Sequence, residues 1–377
     1  MKRVVLSATA SLVLPASVAL AQDDDRGLRF AAGPATFTLT GQLNQGILFY
    51  DDGEGSEAYG SVDNDNSSSR LNLSFEAELS ETATLGGTLE FKYQPYASDA
   101  VSQEGRGDPD FGVQDDDYRK AELFLETGAG TFWLGQGDMA SNETAEVDLS
   151  GTTVAANSDL EDVGGAQLFR LADGSLSEVS VDDAFDNLDG LSRIVRVRYD
   201  APSLLDDRLT FSASYGQDRI ADERTPQRDV AAFYEDEGEV LTVGAAAAYG
   251  WEGEDTTILD GSLSVLHEPT GLSATLAGGR QREEGEEDAQ GGYGTLKLGY
   301  EADLIEAGST ALSVDAFRSG DRPEEGSEGT SYGLAVVQAV EAIGTEVYLA
   351  VRSYEYDDDA GGYGDATAVL VGARVRF

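Results

Sequence analysis

Carboxylates are the side chains with chemical reach in this sequence. Asp and Glu number 71 against 25 Lys and Arg, the net charge is −46, and there is one His and no Cys. Thiolate chemistry and a disulfide framework are therefore excluded. His267 sits in Leu266-His267-Glu268-Pro269, at an expected tight turn, and lacks the second His of a zinc-binding helix. No Ser-His-Asp set can be assembled except around it, and no glycine-rich phosphate loop follows a strand. No catalytic residue is assigned, and an enzyme is not expected. Such a negative surface repels phosphates, so nucleic acid is not an expected partner.

The acids are unevenly spread. Residues 138–191 hold thirteen of them and a single base, Arg170. A connection this long in a compact fold needs a purpose. Residues 51–67 hold six acids and no base. The runs Asp115-Asp116-Asp117 and Asp357-Asp358-Asp359 are of the type that collects hard cations. Asp63-Asn64-Asp65-Asn66-Ser67 has part of an EF-hand pattern but lacks the Gly at position six and the Glu at twelve. Weak, diffuse Ca²⁺ binding at acidic loops is the expectation. No cofactor and no defined metal site follow.

The elements that must position these acids read as strands. Met1-Lys2-Arg3, an apolar run from Val4 to Leu20 and the small-x-small pattern Ala19-Leu20-Ala21 predict a signal peptide over 1–21, leaving one domain over 22–377. After it, the longest apolar run is Leu241 to Trp251, far short of the roughly 20 residues a membrane helix needs. The recurring period is two. Arg70 to Leu79 and Leu85 to Tyr93 carry apolar side chains at odd positions and mostly polar ones between. The same alternation predicts sixteen strands, near 35–50, 68–80, 84–97, 117–127, 130–137, 192–200, 208–217, 228–235, 240–251, 257–267, 271–281, 291–300, 310–319, 330–340, 344–357 and 366–377. Short turns fall at one end. The other end carries longer acidic connections: 51–67, 98–116, 138–191, 218–227, 282–290, 320–329 and 358–365, with 252–256 a short exception. Even strand number with this asymmetry is how outer-membrane barrels are built, and closure removes exposed edges.

The last strand alternates Val369, Val371, Ala373, Val375 and ends on the aromatic Phe377, which resembles the signal read by the barrel-assembly machinery. Phe49, Tyr50, Tyr93, Tyr96, Tyr199, Tyr249, Trp251 and Tyr300 lie near strand ends, where interfacial girdles place aromatics. Three local stretches then resemble the Gram-negative general porins of α-proteobacterial type. They are Phe37 to Gly46; Gly130-Thr131-Phe132-Trp133-Leu134-Gly135-Gln136-Gly137 with Asp138-Met139-Ala140 and Ala145 to Gly151; and Asp189 to Tyr199 with Pro202.

That resemblance implies an all-β fold: a 16-stranded antiparallel transmembrane β-barrel with a long third external loop folded into the lumen, usually a homotrimer. It also implies a bacterial outer-membrane location, reached through the periplasm, among membrane lipid and lipopolysaccharide. In that family, acids on the inserted loop face bases on the wall across a narrow aqueous gap. Carried onto this chain, the constriction acids are Asp138, Glu143, Glu146, Asp148, Asp159, Glu161 and Asp162. The wall bases are Arg70, Lys120, Arg196 and Arg198. The expected function is a water-filled channel for passive diffusion of small hydrophilic solutes and ions, preferring cations. A substrate-selective channel and a non-conducting structural or adhesin barrel are the alternatives, with a soluble β-protein more remote. Tyr348 and Phe124 are too few for the aromatic slide of a sugar channel.

Overall fold

The computed structural model describes residues 27–105, 117–217, 225–283, 291–359 and 361–377. The expected signal peptide over 1–21 and the acids Asp115 and Asp116 lie outside these. Sixteen antiparallel strands form the wall. They are β1 (Ala35–Asp51), β2 (Arg70–Ser80), β3 (Ala83–Lys92), β4 (Tyr118–Thr127), β5 (Gly130–Asp138), β6 (Arg193–Asp200), β7 (Leu209–Gln217) and β8 (Pro226–Glu237). They continue as β9 (Leu241–Glu252), β10 (Thr256–His267), β11 (Leu272–Glu283), β12 (Gly292–Ile305), β13 (Gly308–Gly320), β14 (Glu328–Val340), β15 (Thr345–Asp358) and β16 (Ala366–Arg376). Each strand pairs with the next, and β16 pairs back onto β1 from Gln42↔Arg376 to Asp51↔Thr367, which closes the barrel. The seam is finished by a two-way backbone pair between Gly41 and Phe377.

Alternation sorts the side chains by face. Leu43, Ile47, Leu71, Leu89, Phe132, Leu134, Val197, Leu263, Leu276, Leu298, Val314, Leu334 and Val371 are exposed large apolar residues of the wall. Their neighbours in sequence, such as Gln42, Asn44, Arg196, Ser262, Ser264, Lys297 and Asp315, are buried and polar. A wall that is apolar outside and polar inside is stable only with hydrocarbon around it. Phe49, Tyr93, Tyr199 and Tyr300 belong to the exposed set. Tyr50 does not: its even position turns it inward, where it is buried, so it is no part of an interfacial girdle.

Several boundaries differ from the sequence reading. Residues 51–67 are not one loop, because Ser56–Asp63 is a strand that pairs with the upper half of β1. β3 ends at Lys92 rather than at residue 97, because past it the Tyr96 carbonyl accepts from the Asp63 amide and the chain leaves the ladder at Pro95. An N-terminal strand, Leu28–Ala32, folds back on Thr36 to Leu39. The long connection contains a hairpin, Leu168–Arg170 with Leu176–Ser180, and a one-turn helix, Val181–Phe185.

Candidate functional site

The connection from β5 to β6 is tied to the wall residue by residue. Its Ala140 amide donates to Ser214 Oγ of β7 (2.9 Å), and its Ser141 amide to Asp229 of β8 (2.8 Å). The amides of Val147 and Leu149 donate to Ser262 and Ser264 of β10 (3.0 and 2.9 Å). Thr152 reaches Ser313 of β13 (2.8 Å), and the Leu160 and Val163 carbonyls accept from the Tyr354 hydroxyl of β15 (3.0 and 2.8 Å). Every one of these wall partners lies on the face opposite the exposed apolar side chains. Irregular backbone away from water must find partners, and small inward hydroxyls supply them while leaving space. Glycine adds to that space: a Cβ on Gly299 of β12 would sit 2.8 Å from Ser150 Cβ. Farther along, Phe169 of the connection stacks on Tyr356 of β15, and Phe185 packs tilted on Phe317 of β13 and edge-on to Tyr354 of β15.

A polar cavity of about 480 Å³ remains between this connection and strands β2, β3, β4 and β6, with Ile258 of β10 and Gln281 of β11 also in its lining. One side carries Arg70, Lys92, Arg119 and Arg193. The other carries Glu143, Glu146, Asp159, Glu161, Asp162, Asp186 and Asp189, with Asp65 at the edge. Asp186 is matched by Arg322 at 2.5 Å, and Arg119 by Glu90 at 2.7 Å. Neither Arg70 nor Lys92 forms an ion pair with a described residue. Burial, then the charge of Asp159, pushes the Glu161 carboxyl up to about 12. Burial also holds Asp159, Asp162 and Asp189 well above the usual carboxylate range, reinforced first by Asp162, Asp65 and Glu146 respectively. Glu146 is raised by burial and by Glu143. Glu161 therefore holds its proton at neutral pH, and the charge on the acid side is smaller than its residue count. One oxygen each of Asp159, Glu161 and Asp186 lie within 4.8 Å of one another, a spacing a hard cation could bridge.

Of the seven acids expected at a constriction, five line this cavity: Glu143, Glu146, Asp159, Glu161 and Asp162. Asp138 and Asp148 do not. Asp138 ends β5 and is matched by Lys120 and by Arg193 (2.9 Å). Asp148 is buried against Lys297 of β12 (2.6 Å) and caps the Ser150 amide (2.8 Å). Of the four expected wall bases, only Arg70 lines the cavity. Lys120 is held by Asp138, Arg196 by Glu122, and Arg198 by Asp200 (2.7 Å) and the Met139 carbonyl (3.0 Å). Carboxylates on the strands themselves or at their ends claim these bases first. Phe377 has its backbone in the β1 seam and its ring against Gly41.

Sequence reading missed Lys92, Arg119, Arg193 and Lys297. Lys92 is the direct register partner of Arg70, so both face inward. Arg119 is displaced inward by a bulge between the pairs Glu90↔Lys120 and Phe91↔Tyr118, which puts two successive bases on one face. Lys297 stands at an inward position of β12, in the alternation that exposes Leu296 and Leu298.

A closed barrel of sixteen strands, apolar outside and charged within, defines a membrane-spanning β-barrel with the build of an outer-membrane channel. The chain belongs to the Gram-negative porin family, whose sequence profile matches residues 8–374. The barrel and the family place it in the outer membrane as a porin channel. No curated protein sequence matches it significantly. Among solved structures it is similar to the anion-selective porin from Comamonas acidovorans, at 18% identity and a TM-score of 0.60, over 91% of this chain and 100% of that one. It is similar to OmpT of Vibrio cholerae in its trimer form, at 14% identity and a TM-score of 0.56, over 91% and 99%. A variant of the Rh. blastica porin aligns at 18% identity and a TM-score of 0.51, over 90% and 100%. These likenesses carry the fold.

Proposed function

We propose that the chain forms a passive diffusion pore for small hydrophilic solutes and ions, with a preference for cations. The observation that carries the reading is the cavity itself, with seven acids of residues 139–192 facing Arg70, Lys92, Arg119 and Arg193. In this reading the segment folds into the lumen and narrows it, and the opposed charges set a transverse field that permeating solutes must tolerate. Two of the four bases are already matched, Arg119 by Glu90 and Arg193 by Asp138, and the cation preference rests on Glu143, Glu146 and Asp65 outweighing Arg70 and Lys92. Comamonas porin is described as anion-selective, but its sequence differs at about four positions in five, and the preference proposed here has the opposite sign. The Asp159, Glu161 and Asp186 carboxylates would be the place for a weakly held Ca²⁺.

We further propose a homotrimer, as in the trimer form of OmpT. Strands β2 to β7 have 8–11 residues against 12–14 in β8 to β15, so one flank of the wall is lower and suits burial against other subunits. Residues 1–21 would direct export through the periplasm, and Phe377 would be read by the assembly machinery before the barrel meets lipid and lipopolysaccharide. Liposome swelling with uncharged sugars of graded size tests the pore: small sugars should enter and large ones should not. Liposomes that carry the folded barrel and admit none of them would sink the reading.

A further inference from the structure

The second wall strand is broken, and the break faces the cavity. Ser56–Asp63 and β2 run in the same direction along β1, pairing with its upper half (Gln45↔Asp63) and its lower half (Gln42↔Arg70). Residues 64–69 between them leave the ladder, with a single turn of 3₁₀ helix at Asp65–Ser67. The sequence explains the departure. From Asp63 to Arg70 no apolar side chain is available for the lipid face, so alternation fails there and the chain turns inward. This stretch contains the partial EF-hand pattern Asp63-Asn64-Asp65-Asn66-Ser67.

Inward side chains of the seam hold it. Gln42 Nε2 donates to the carbonyls of Ser67 (3.0 Å) and Ser68 (2.7 Å), Asn44 Nδ2 to the Ser67 carbonyl (2.8 Å), and Arg374 to Ser67 Oγ (2.7 Å). From this platform it reaches the long connection. Asn64, fully buried, donates to the Val154 carbonyl (2.6 Å), and Asn66 Oδ1 accepts from the Asn157 amide (3.0 Å). Ser98 Oγ accepts from the Asp65 amide (3.0 Å) and donates to the Asp162 carbonyl (2.5 Å). The Asp65 side chain, held by Gln94 Nε2 at 2.6 Å, lines the cavity.

The geometry points to residues 64–69 as a second constriction element, in which Asp65 contributes charge to the pore directly and Asn64 positions the connection that carries the other acids. This rests on the pore reading and adds that the wall, not only the long connection, sets size and selectivity. Because the buried link to the Val154 carbonyl would go with Asn64 and the half-buried link to the Asn157 amide with Asn66, the opposing acids would be free to shift while the sixteen-stranded ladder stayed intact.

The chain has no Cys, so Asp65→Cys provides a single thiol. The test records single channels of the full-length protein in planar bilayers before and after a bulky cationic methanethiosulfonate reagent. Glu57→Cys, on the outer part of the broken strand, is the control. Labelled Asp65→Cys should lose current in discrete steps and shift its zero-current potential toward anions, and labelled Glu57→Cys should do neither. Asn64→Ala, which leaves every paired strand residue unchanged, should conduct more than wild type and admit larger sugars. Unchanged current in Asp65→Cys with labelling proved by mass, together with wild-type behaviour of Asn64→Ala, overturns the inference and leaves the pore standing. A wild-type protein that folds but does not conduct overturns both.

Discussion

Removing Lys297 should open the pore without unfolding the barrel. Lys297 Nζ is 2.6 Å from Asp148 Oδ2 and also donates to the Ala156 carbonyl, so one side chain on β12 grips the long connection at two points. Both side chains are about 5% exposed or less. Lys297→Met keeps the stem and deletes the charge, leaving Asp148 buried and unmatched. Breaking a buried pair in this way costs about 3–5 kcal/mol. At about 1.4 kcal/mol per factor of ten, that shifts the closed-to-open equilibrium of the segment by two to three orders of magnitude or more. The barrel loses none of its ladder, because the side chain takes no part in the backbone pairing of β12 with β11 and β13. In bilayers Lys297→Met should therefore show larger conductance and frequent step fluctuations, while the heat-modifiable band in gels persists. Asp148→Asn/Lys297→Met removes the unmatched charge as well, so it should recover much of the quiet wild-type current. A single variant with wild-type conductance and noise would refute the idea that this pair holds the constriction. A single variant that never forms a heat-modifiable band would refute the separation of tether from wall.

Four further outcomes follow from the same arrangement. The Glu161 carboxyl is raised from an ordinary value near 4.5 to about 12, so the stability it contributes is full below 4.5 and is lost as pH rises toward 12. Thermal unfolding in detergent should weaken with increasing pH through this window, by up to about 1.4 kcal/mol per pH unit for one such group, and Glu161→Gln should flatten the trend. In the folded channel Glu161 keeps its proton until the pH nears 12, so Glu161→Gln should leave the zero-current potential at pH 7 where it is in wild type; a clear shift toward anions there would show that Glu161 is ionised in the pore. Deleting Phe377 removes both hydrogen bonds of the Gly41 backbone pair and should lower outer-membrane levels while leaving export intact, which immunoblots of fractionated cells would show. Without detergent the folded protein should aggregate, since Leu134, Leu263 and Leu298 face outward; a dispersed folded protein in plain buffer would contradict the membrane wall.

The wall was legible because lipid on one side and water on the other impose a strict period of two. All sixteen strands follow from it. The site was legible only in outline. The acid-rich segment announced itself by length and charge, and five of its seven chosen acids line the cavity. Bases were harder. Parity told that Arg196 and Arg198 face inward, yet not that Glu122 and Asp200 would take them, because that depends on register between strands distant in sequence. Lys92 and Arg119 depend on register too, and Arg119 on a bulge that alternation cannot foresee. Asp138 and Asp148 look like any other loop acids until Lys120, Arg193 and Lys297 are placed beside them. The break at residues 64–69 was divided between the expected loop 51–67 and the start of the expected strand 68–80, because nothing local says which way a departing polar chain turns.

The sharpest test of the cavity as the transport path is the zero-current potential across a bilayer in a tenfold KCl gradient. Wild type is compared with Glu143→Gln/Glu146→Gln, whose side chains line the cavity without any ion pair to a described residue. Exposed charges far from the path are screened within about 8 Å at physiological salt, so only acids close to permeating ions should register. The account predicts a cation-selective wild type whose potential moves toward anions in the double variant, more at low salt than at high. An anion-selective wild type, or a cation-selective one that the two substitutions leave unmoved, would contradict it.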